Sequence, residues 1–359
     1  MKNNFDFDIN KINNITNSEK AYRQKSLDLF PKNGFPSKKI EEWKFTDLNK
    51  ILNKNFKKIS NKIILNERSN FEKIKNFKHN YILLTNGILT SSDFQYEDTT
   101  KISINKFIDD GNKIFEKFDS LSLLNDALSL GGYSLEVSEE YKFKKPLIIY
   151  NTFSNNLANS ILNNKNKIKL NRGAKLTLIE HTSDKNRNSY VKNTKEIIQL
   201  GKDSSLISLL VQKNKSNGFF YKYLDVSLKK DSDYKCFILT SGLKFNKTNI
   251  NANLEEMTSK CSIYSALMIS ENEHQEIKTR INHLKPNCES FQKIKNVINK
   301  KGKGIYQGKI FVKDVAQKTN AYQLSNALLL AQESEFNAKP ELEIYADDVK
   351  CSHGSSSGS

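Results

Sequence analysis

The chain has 359 residues, 37% hydrophobic and 27% charged, the balance of a folded protein large enough to bury a sizeable core in two domains or one elongated one. No apolar run reaches the ~18 residues of a membrane helix, and the opening MKNNFDFDIN lacks the apolar stretch of a secretory signal. The net charge of +17 comes almost wholly from lysine, with arginine only at Arg23, Arg68, Arg172, Arg187 and Arg280; dispersed lysine without forked guanidiniums reads as a solvated surface, so nucleic acid is not the expected partner.

The four cysteines, Cys236, Cys261, Cys288 and Cys351, are far apart and form no CxxC pair. That argues against a disulfide framework or zinc ribbon and fits a reducing cytoplasm. Residues 18–30 read as a helix, with Arg23, Leu27 and Phe30 on one face, Asn17 or Ser18 as N-cap, and Pro31 and Gly34 as the stop. A second helix is expected over 40–52, around the sole tryptophan, Trp43. Residues 81–89 read as strand, turn and strand, and 120–130 as a helix stopped by Gly131 and Gly132. These elements define an expected α-rich N-terminal domain, residues 1–135.

From residue 136 the pattern changes to short alternating apolar runs separated by Gly, Asp, Asn and Ser, which is strand patterning. The runs repeat. IKLNRGAKLTL (168–178), IQLGKDSSLIS (198–208) and VSLKKDSDYKC (226–236) begin 30 and 28 residues apart, and a looser copy begins near Leu254. Units that recur at this period cannot bury an apolar face alone and must stack, so a β-solenoid or β-helix is expected over 136–354. An antiparallel sandwich is the alternative that alternation leaves open. Asn320, Asn326 and Asn337 suit tight corners with left-handed backbone.

The chemistry-bearing residues gather at the end, in YADDVKCSHGSSSGS (345–359). Cys351 and His353 are two apart and face one side of a strand; an imidazole there would favour a thiolate, and the pair suits iron, zinc or copper. A frayed terminus is the other reading of the same spacing, with 355–359 a Ser/Gly tail or a point of truncation. Asp347 and Asp348 are adjacent, face opposite sides, and fit a corner bound to backbone N–H groups better than a paired-carboxylate site. His181, beside Glu180, reads as a surface or satisfied histidine, and His274 and His283 lie on opposite faces of one strand. Cys236, Cys261 and Cys288 read as core thiols. GKGIYQG (302–308) has no helix after it and is not a phosphate loop.

Three stretches carry a family resemblance: GFPSKKIEEWKFTDL (34–48), GIYQGKIFVKDVAQKTNAYQLSNALLL (304–330) and KPELEIYADDVKCSHG (339–354). Together they resemble the SufB/SufD family of iron–sulfur cluster assembly proteins, with Ser352 and Gly354 on the SufD side. The resemblance spans roughly residues 20–354, the middle mainly by pattern. It implies a mainly β fold, a right-handed parallel β-helix core behind a helical N-terminal domain, and no stand-alone enzyme activity. It implies partnership with the SufB paralogue and the SufC ATPase, a homodimer being the other assembly left open, and no membrane. No cofactor is implied for the isolated chain; a transient iron–sulfur cluster would form at the subunit interface, with His353 at the assembly position and Cys351 beside it. SufB's flavin association is not implied. The family's C-terminal helical segment, which docks SufC, is absent from this sequence. The competing functions are a basic nucleic-acid-binding protein and a polysaccharide-active β-helix enzyme; the latter lacks the clustered acids it would need.

Overall fold

The computed structural model describes residues 5–12, 15–61, 71–107, 120–184 and 186–358. Helix α1 (Asn17–Asn33) is capped by Thr16, whose hydroxyl accepts from Glu19 N at 3.2 Å, and ends at Gly34 with φ +59°. It runs through Pro31, which did not stop it. The expected helix over 40–52 divides into a 3-10 turn (Glu41–Trp43) and α2 (Leu48–Asn55). Asp47 makes the division: its carboxylate accepts from Lys50 N at 2.8 Å and starts a new helix. Helix α3 (Ser120–Leu128) is held to α1 by Arg23, whose guanidinium donates to Ala127 O and Ser129 O at 3.0 and 2.9 Å.

The N-terminal region is nevertheless not clearly α-rich, a correction to the expectation above. Among its described residues lie β1 (Phe5–Asp6), β2 (Ile59–Ser60), β3 (Asn80–Thr85), β4 (Ile88–Asp93), β5 (Ile102–Lys106) and β6 (Tyr133–Val137). Strands β3 and β4 form the hairpin expected around 81–89. Strand β6 straddles residue 135 and carries straight into the repeats. The alternation of Tyr133, Leu135 and Val137, all fully buried, explains why.

The rest is a β-solenoid of about eight turns. Its strands are β7 (Leu147–Thr152), β8 (Ile161–Leu170), β9 (Lys175–Thr182), β10 (Tyr190–Leu200), β11 (Ser205–Leu228), β12 (Asp233–Leu254), β13 (Lys260–Ile269), β14 (His274–His283), β15 (Glu289–Ile298), β16 (Lys303–Val312), β17 (Thr319–Leu329), β18 (Glu335–Ile344) and β19 (Val349–Gly358). One face runs β5–β6–β8–β10–β11–β12–β14–β16–β18, the other β4–β3–β7–β9–β11–β12–β13–β15–β17–β19. The long strands β11 and β12 pass from one face to the other. Apart from the hairpin and the β5–β6 pair, every pairing within these two faces is parallel, which excludes the sandwich.

Register explains the repeat. Leu135, Ile168, Ile198, Val226, Ala252, Ile281, Ile310 and Leu342 are successive partners, one per turn. All but Leu342 are fully buried. The corners are built from left-handed residues, but not the asparagines expected. Asn320, Asn326 and Asn337 lie inside β17 and β18. At one corner the residue with positive φ is Gly173, then Asp203, Asp231, Thr258, Asn287 and Lys318. Each donates its N–H to the next turn, at Lys202, Lys230, Met257, Pro286, Gln317 and Asp348 O respectively. These backbone bonds continue the ladder around the bend and set the position of the last described turn.

Candidate functional site

Cys351 and His353 lie on β19, paired with Ala321 and Gln323 of β17. They occupy the alternating positions that face the interior on the turns before. The Ser/Gly stretch expected as a tail continues the strand: Ser355 and Ser356 pair with Ser325 and Asn326 through side-chain hydrogen bonds of 3.0 and 2.6 Å. Small residues cost little here because the backbone does the pairing.

The two candidates differ in environment. Cys351 is half-buried against Ile310, Val312, Ala316, Ala321 and Ala346. Burial pushes its thiol above the ordinary range, and a hydrogen bond to the Ala321 backbone offsets this only in part. The expected thiolate is therefore not the resting form. His353 is exposed. Among the described residues, no three His, Cys, Asp or Glu side chains gather closely enough to hold a metal ion. Asp347 and Asp348 sit at the corner before β19, and the backbone of Asp348 makes the bonds: its N–H donates to Gln317 Oε1 at 2.9 Å and its carbonyl accepts from Lys318.

Inside the solenoid, a file of polar side chains leads to this strand. The Tyr306 hydroxyl lies 3.0 Å from Gln323 Oε1 and 3.2 Å from Gln292 Oε1, and Gln323 Nε2 donates to Glu341 O at 3.2 Å. Gln323 and Gln292 are one and two turns before His353, respectively, in the same column. Burial raises Tyr306 well above its ordinary range, so the hydroxyl keeps its proton. No motif or spacing rule singles out Gln292, Tyr306 or Gln323 in the sequence. The available signal was glutamine recurring at interior positions of consecutive strands.

The other candidates are structural. His283 is buried with Nε2 2.8 Å from Ser290 Oγ, and burial lowers it to about 4. His274 packs against Phe245 on the opposite face of β14. Burial lowers His181, whose ring meets Tyr150 edge-on at 5.8 Å. Cys236 is fully buried and raised to about 12 by burial, and Cys261 and Cys288 are raised for the same reason.

The three quoted stretches converge in space. Trp43 stacks on Tyr221 at 5.8 Å, and the Lys247 ammonium sits 3.8 Å from the indole centroid. Lys247 also donates to Glu42 O at 3.2 Å and to Glu276 Oε1 at 2.5 Å. Glu276 is fully buried and accepts from Thr46 Oγ1 at 2.6 Å and Gln307 Nε2 at 2.9 Å. Burial opposes its charge, but Lys247 and His274 hold it well below the usual carboxylate range. Lys339 pairs with Glu41. Residues 41–46, 307 and 339 thus form one clasp binding the N-terminal segment across β12, β14, β16 and β18.

Comparison with known proteins agrees with this layout. Residues 152–359 match the family described as "SUF system FeS cluster assembly, SufBD core domain", and residues 10–149 the "SufBD protein N-terminal region". The chain is 27% identical over 342 residues to the iron–sulfur cluster assembly protein SufD of Escherichia coli, covering 93% of this chain and 79% of that one. It is 22% identical to an iron–sulfur cluster assembly SufBD family protein of Synechocystis, covering 92% of this chain and 78% of that one. It is 25% identical to the chloroplastic protein ABCI7 of Arabidopsis thaliana, covering 92% of this chain and 73% of that one. With both family regions matched in order over most of its length, the chain belongs to the SufBD family of the SUF iron–sulfur cluster assembly system and is SufD-like within it.

Proposed function

We propose that this protein is a non-enzymatic scaffold subunit that pairs with a SufB-type paralogue and a SufC-type ATPase, and that a nascent iron–sulfur cluster, its cargo, forms at the interface with the paralogue. The observation that carries the reading is His353, an exposed imidazole beside a half-buried thiol on β19. One imidazole offered by this chain supplies part of a ligand set that the partner completes. A cluster held by incomplete sets from two chains can be released, which a closed four-ligand cage resists. Cys351, its thiol raised by burial, supports the strand and becomes a ligand only if metal displaces its proton.

The test is anaerobic co-expression with the paralogue and the ATPase, as wild type and as His353→Ala. The expected result is an intact complex in both, with the visible absorption of the reconstituted cluster lost only in the variant. Equal cluster absorption in both would refute the role of His353. Failure of the wild-type chain to copurify with the paralogue would refute the scaffold reading.

A further inference from the structure

The solenoid face that runs from β3 to β19 has a largely apolar outer surface, and the described part of the chain covers the beginning of it. Ile148, Ile179, Leu209, Phe237 and Tyr264 are successive partners in one outward column. Over β3, β7 and β9 the segment preceding β3 lies on this surface. Phe71 packs on Tyr81 and Tyr150 at 5.5 and 4.8 Å and joins Ile148 and Ile179 in one apolar cluster. Ile74 N donates to the Tyr150 hydroxyl at 3.0 Å. From β12 to β17 the same surface is open: Leu239, Met268, Phe291, Val297, Tyr322 and Leu328 are between 37% and 67% exposed.

These side chains are contiguous, and a continuous exposed apolar patch marks an interaction site where single exposed residues do not. They form two stripes. Phe237 stacks on Tyr264 at 4.9 Å, Tyr264 meets Phe291 at 5.7 Å, and Phe291 is the register partner of Tyr322. Met268, Val297 and Leu328 are register partners in the second stripe. Between the stripes lie Ala266 on β13, Lys293 and Lys295 on β15, and Leu324 and Asn326 on β17. At about 3.3 Å per residue the stripes stand roughly 13 Å apart on β13 and 20 Å apart on β15 and β17, wide enough for an α-helix about 10–12 Å across. On β19 the outward positions are Ser352, Gly354 and Ser356, so the trough is open at that end. From β12 to β19 it is roughly 19 Å long, the length of about 13 helical residues.

Charge selects the partner. Lys293 and Lys295, in the middle of the trough, have no ion-pair partner among the described residues. On β12, β13, β15, β17 and β19 the carboxylates are Asp233 and Glu289, and both are engaged, with Lys235 at 3.0 Å and Lys260 at 3.2 Å. At the corners beyond the aliphatic stripe Glu271 pairs with Lys300 at 3.0 Å and Glu333 with Lys301 at 3.4 Å. Asp314, Asp347 and Asp348 sit at the corners before β17 and β19, roughly 15 Å or more along the strands from the two lysines. Exposed charges that far apart are largely screened at physiological salt.

We infer that this surface docks an acidic amphipathic helix of a partner protein, its apolar side chains against the two stripes and its carboxylates over Lys293 and Lys295. A helix laid in an apolar trough is an established mode of recognition, and the two lysines add the charge preference. A second copy of this chain fits less well, because it would bring its own Lys293 and Lys295 into the contact without carboxylates to meet them. A lipid surface fits less well too, because the stripes lie on a flat sheet bounded by the Lys260–Glu289 and Glu271–Lys300 pairs, which would have to lose their water.

The experiment is fluorescence anisotropy of the whole chain with a labelled, side-chain-stapled helical peptide of about 14 residues, carrying leucine at i, i+3, i+4 and i+7 and glutamate at the flanking positions. The comparison probes are the same peptide with lysine for glutamate and a scrambled order of the same composition. The acidic peptide is expected to bind, the lysine peptide to bind about tenfold more weakly or worse, and the scrambled peptide not to bind. Met268→Ser is expected to weaken the acidic peptide severalfold while the urea midpoint stays unchanged, and Tyr322→Ser serves as the second variant if Met268→Ser perturbs folding. Lys293→Glu/Lys295→Glu is expected to invert the preference toward the lysine peptide. No binding of the acidic peptide overturns the inference. So does equal binding of the scrambled peptide, or a preference for acid that survives the double reversal, which belongs to the diffuse lysine surface. Binding to phosphatidylglycerol vesicles that Met268→Ser abolishes assigns the surface to lipid, and a dimer in sedimentation that Met268→Ser dissociates assigns it to a second copy; either result overturns the inference.

Discussion

Replacing Lys247 by methionine tests whether the clasp is a structural element. Lys247 and Glu276 are each 1% exposed and 2.5 Å apart. The substitution keeps the aliphatic stem over Trp43 but strands the Glu276 carboxylate in the interior. Removing one partner of a buried ion pair costs roughly 3–5 kcal/mol, and the lost cation–π contact adds about 1–2 kcal/mol when desolvated. The hydrogen bonds from Thr46 and Gln307 remain, so a loss near 3 kcal/mol is expected. Urea unfolding followed by the fluorescence of the sole tryptophan, Trp43, reads the clasp directly, and far-UV circular dichroism reads the solenoid. In the wild type Glu276 has a depressed pKa; its contribution is fully present above its ordinary value near 4.5 and is lost as the pH falls below it. In Lys247→Met, burial without the cation raises the carboxyl, so the deficit shrinks as the pH is lowered from 7 to 5. The double variant Lys247→Met/Glu276→Gln removes both charges and should recover at least half of the loss. A single-variant loss under about 1 kcal/mol, or a double variant no better than the single, would refute the assignment of the clasp to this pair.

Further outcomes follow from other sites. Burial depresses His283 to about 4, so the unfolded state binds its proton first; stability should be full above pH 6.5 and decline by up to about 3 kcal/mol as the pH falls to 4. His283→Gln should flatten that decline in acid titrations read by circular dichroism. Thiol titration of the native chain at pH 7 should show one slowly reacting group, abolished in Cys351→Ser, with a rate that climbs as the pH approaches 9; fast reaction at pH 7 would contradict the raised thiol. Thr258 holds φ +61° at a corner, a conformation that costs a β-branched residue roughly 1 kcal/mol or more. Thr258→Asn should therefore raise the urea midpoint by about 0.5–1 kcal/mol equivalent, and no gain would show that the hydroxyl's bond to Asp231 compensates.

The solenoid was legible because its repeats are spaced by one turn. Ile168, Ile198 and Val226, which open the three sequence repeats, are hydrogen-bonded neighbours in the same column. The corner residues were not legible. Asp203, Asp231, Thr258, Asn287 and Lys318 share a backbone conformation and not a side-chain type, because the bend requires a left-handed φ and an N–H and asks nothing of the side chain. The break at Asp47 was missed because the apolar period continues across it while one carboxylate restarts the helix. Buried charge was invisible for a related reason: Glu180, Glu196 and Lys222 lie in alternating strands as surface residues would, yet pair inside the solenoid. At the site, the shared face of Cys351 and His353 was readable from spacing. The raised thiol was not, since it depends on Ile310, Val312 and Ala346, supplied by other turns.

The clasp also bears on how the molecule is completed. A stacked array held only by neighbour contacts frays turn by turn from its ends. Here Glu41 reaches Lys339, 298 residues away, on a strand near the one that carries His353. The early segment cannot close fully until the turns through β18 have been laid down. The fastening thus works as a latch across the array: a chain stalled before β18 lacks the Glu41–Lys339 contact, and once β18 is in place the early segment and the turns from β12 to β18 are locked into one cooperative unit.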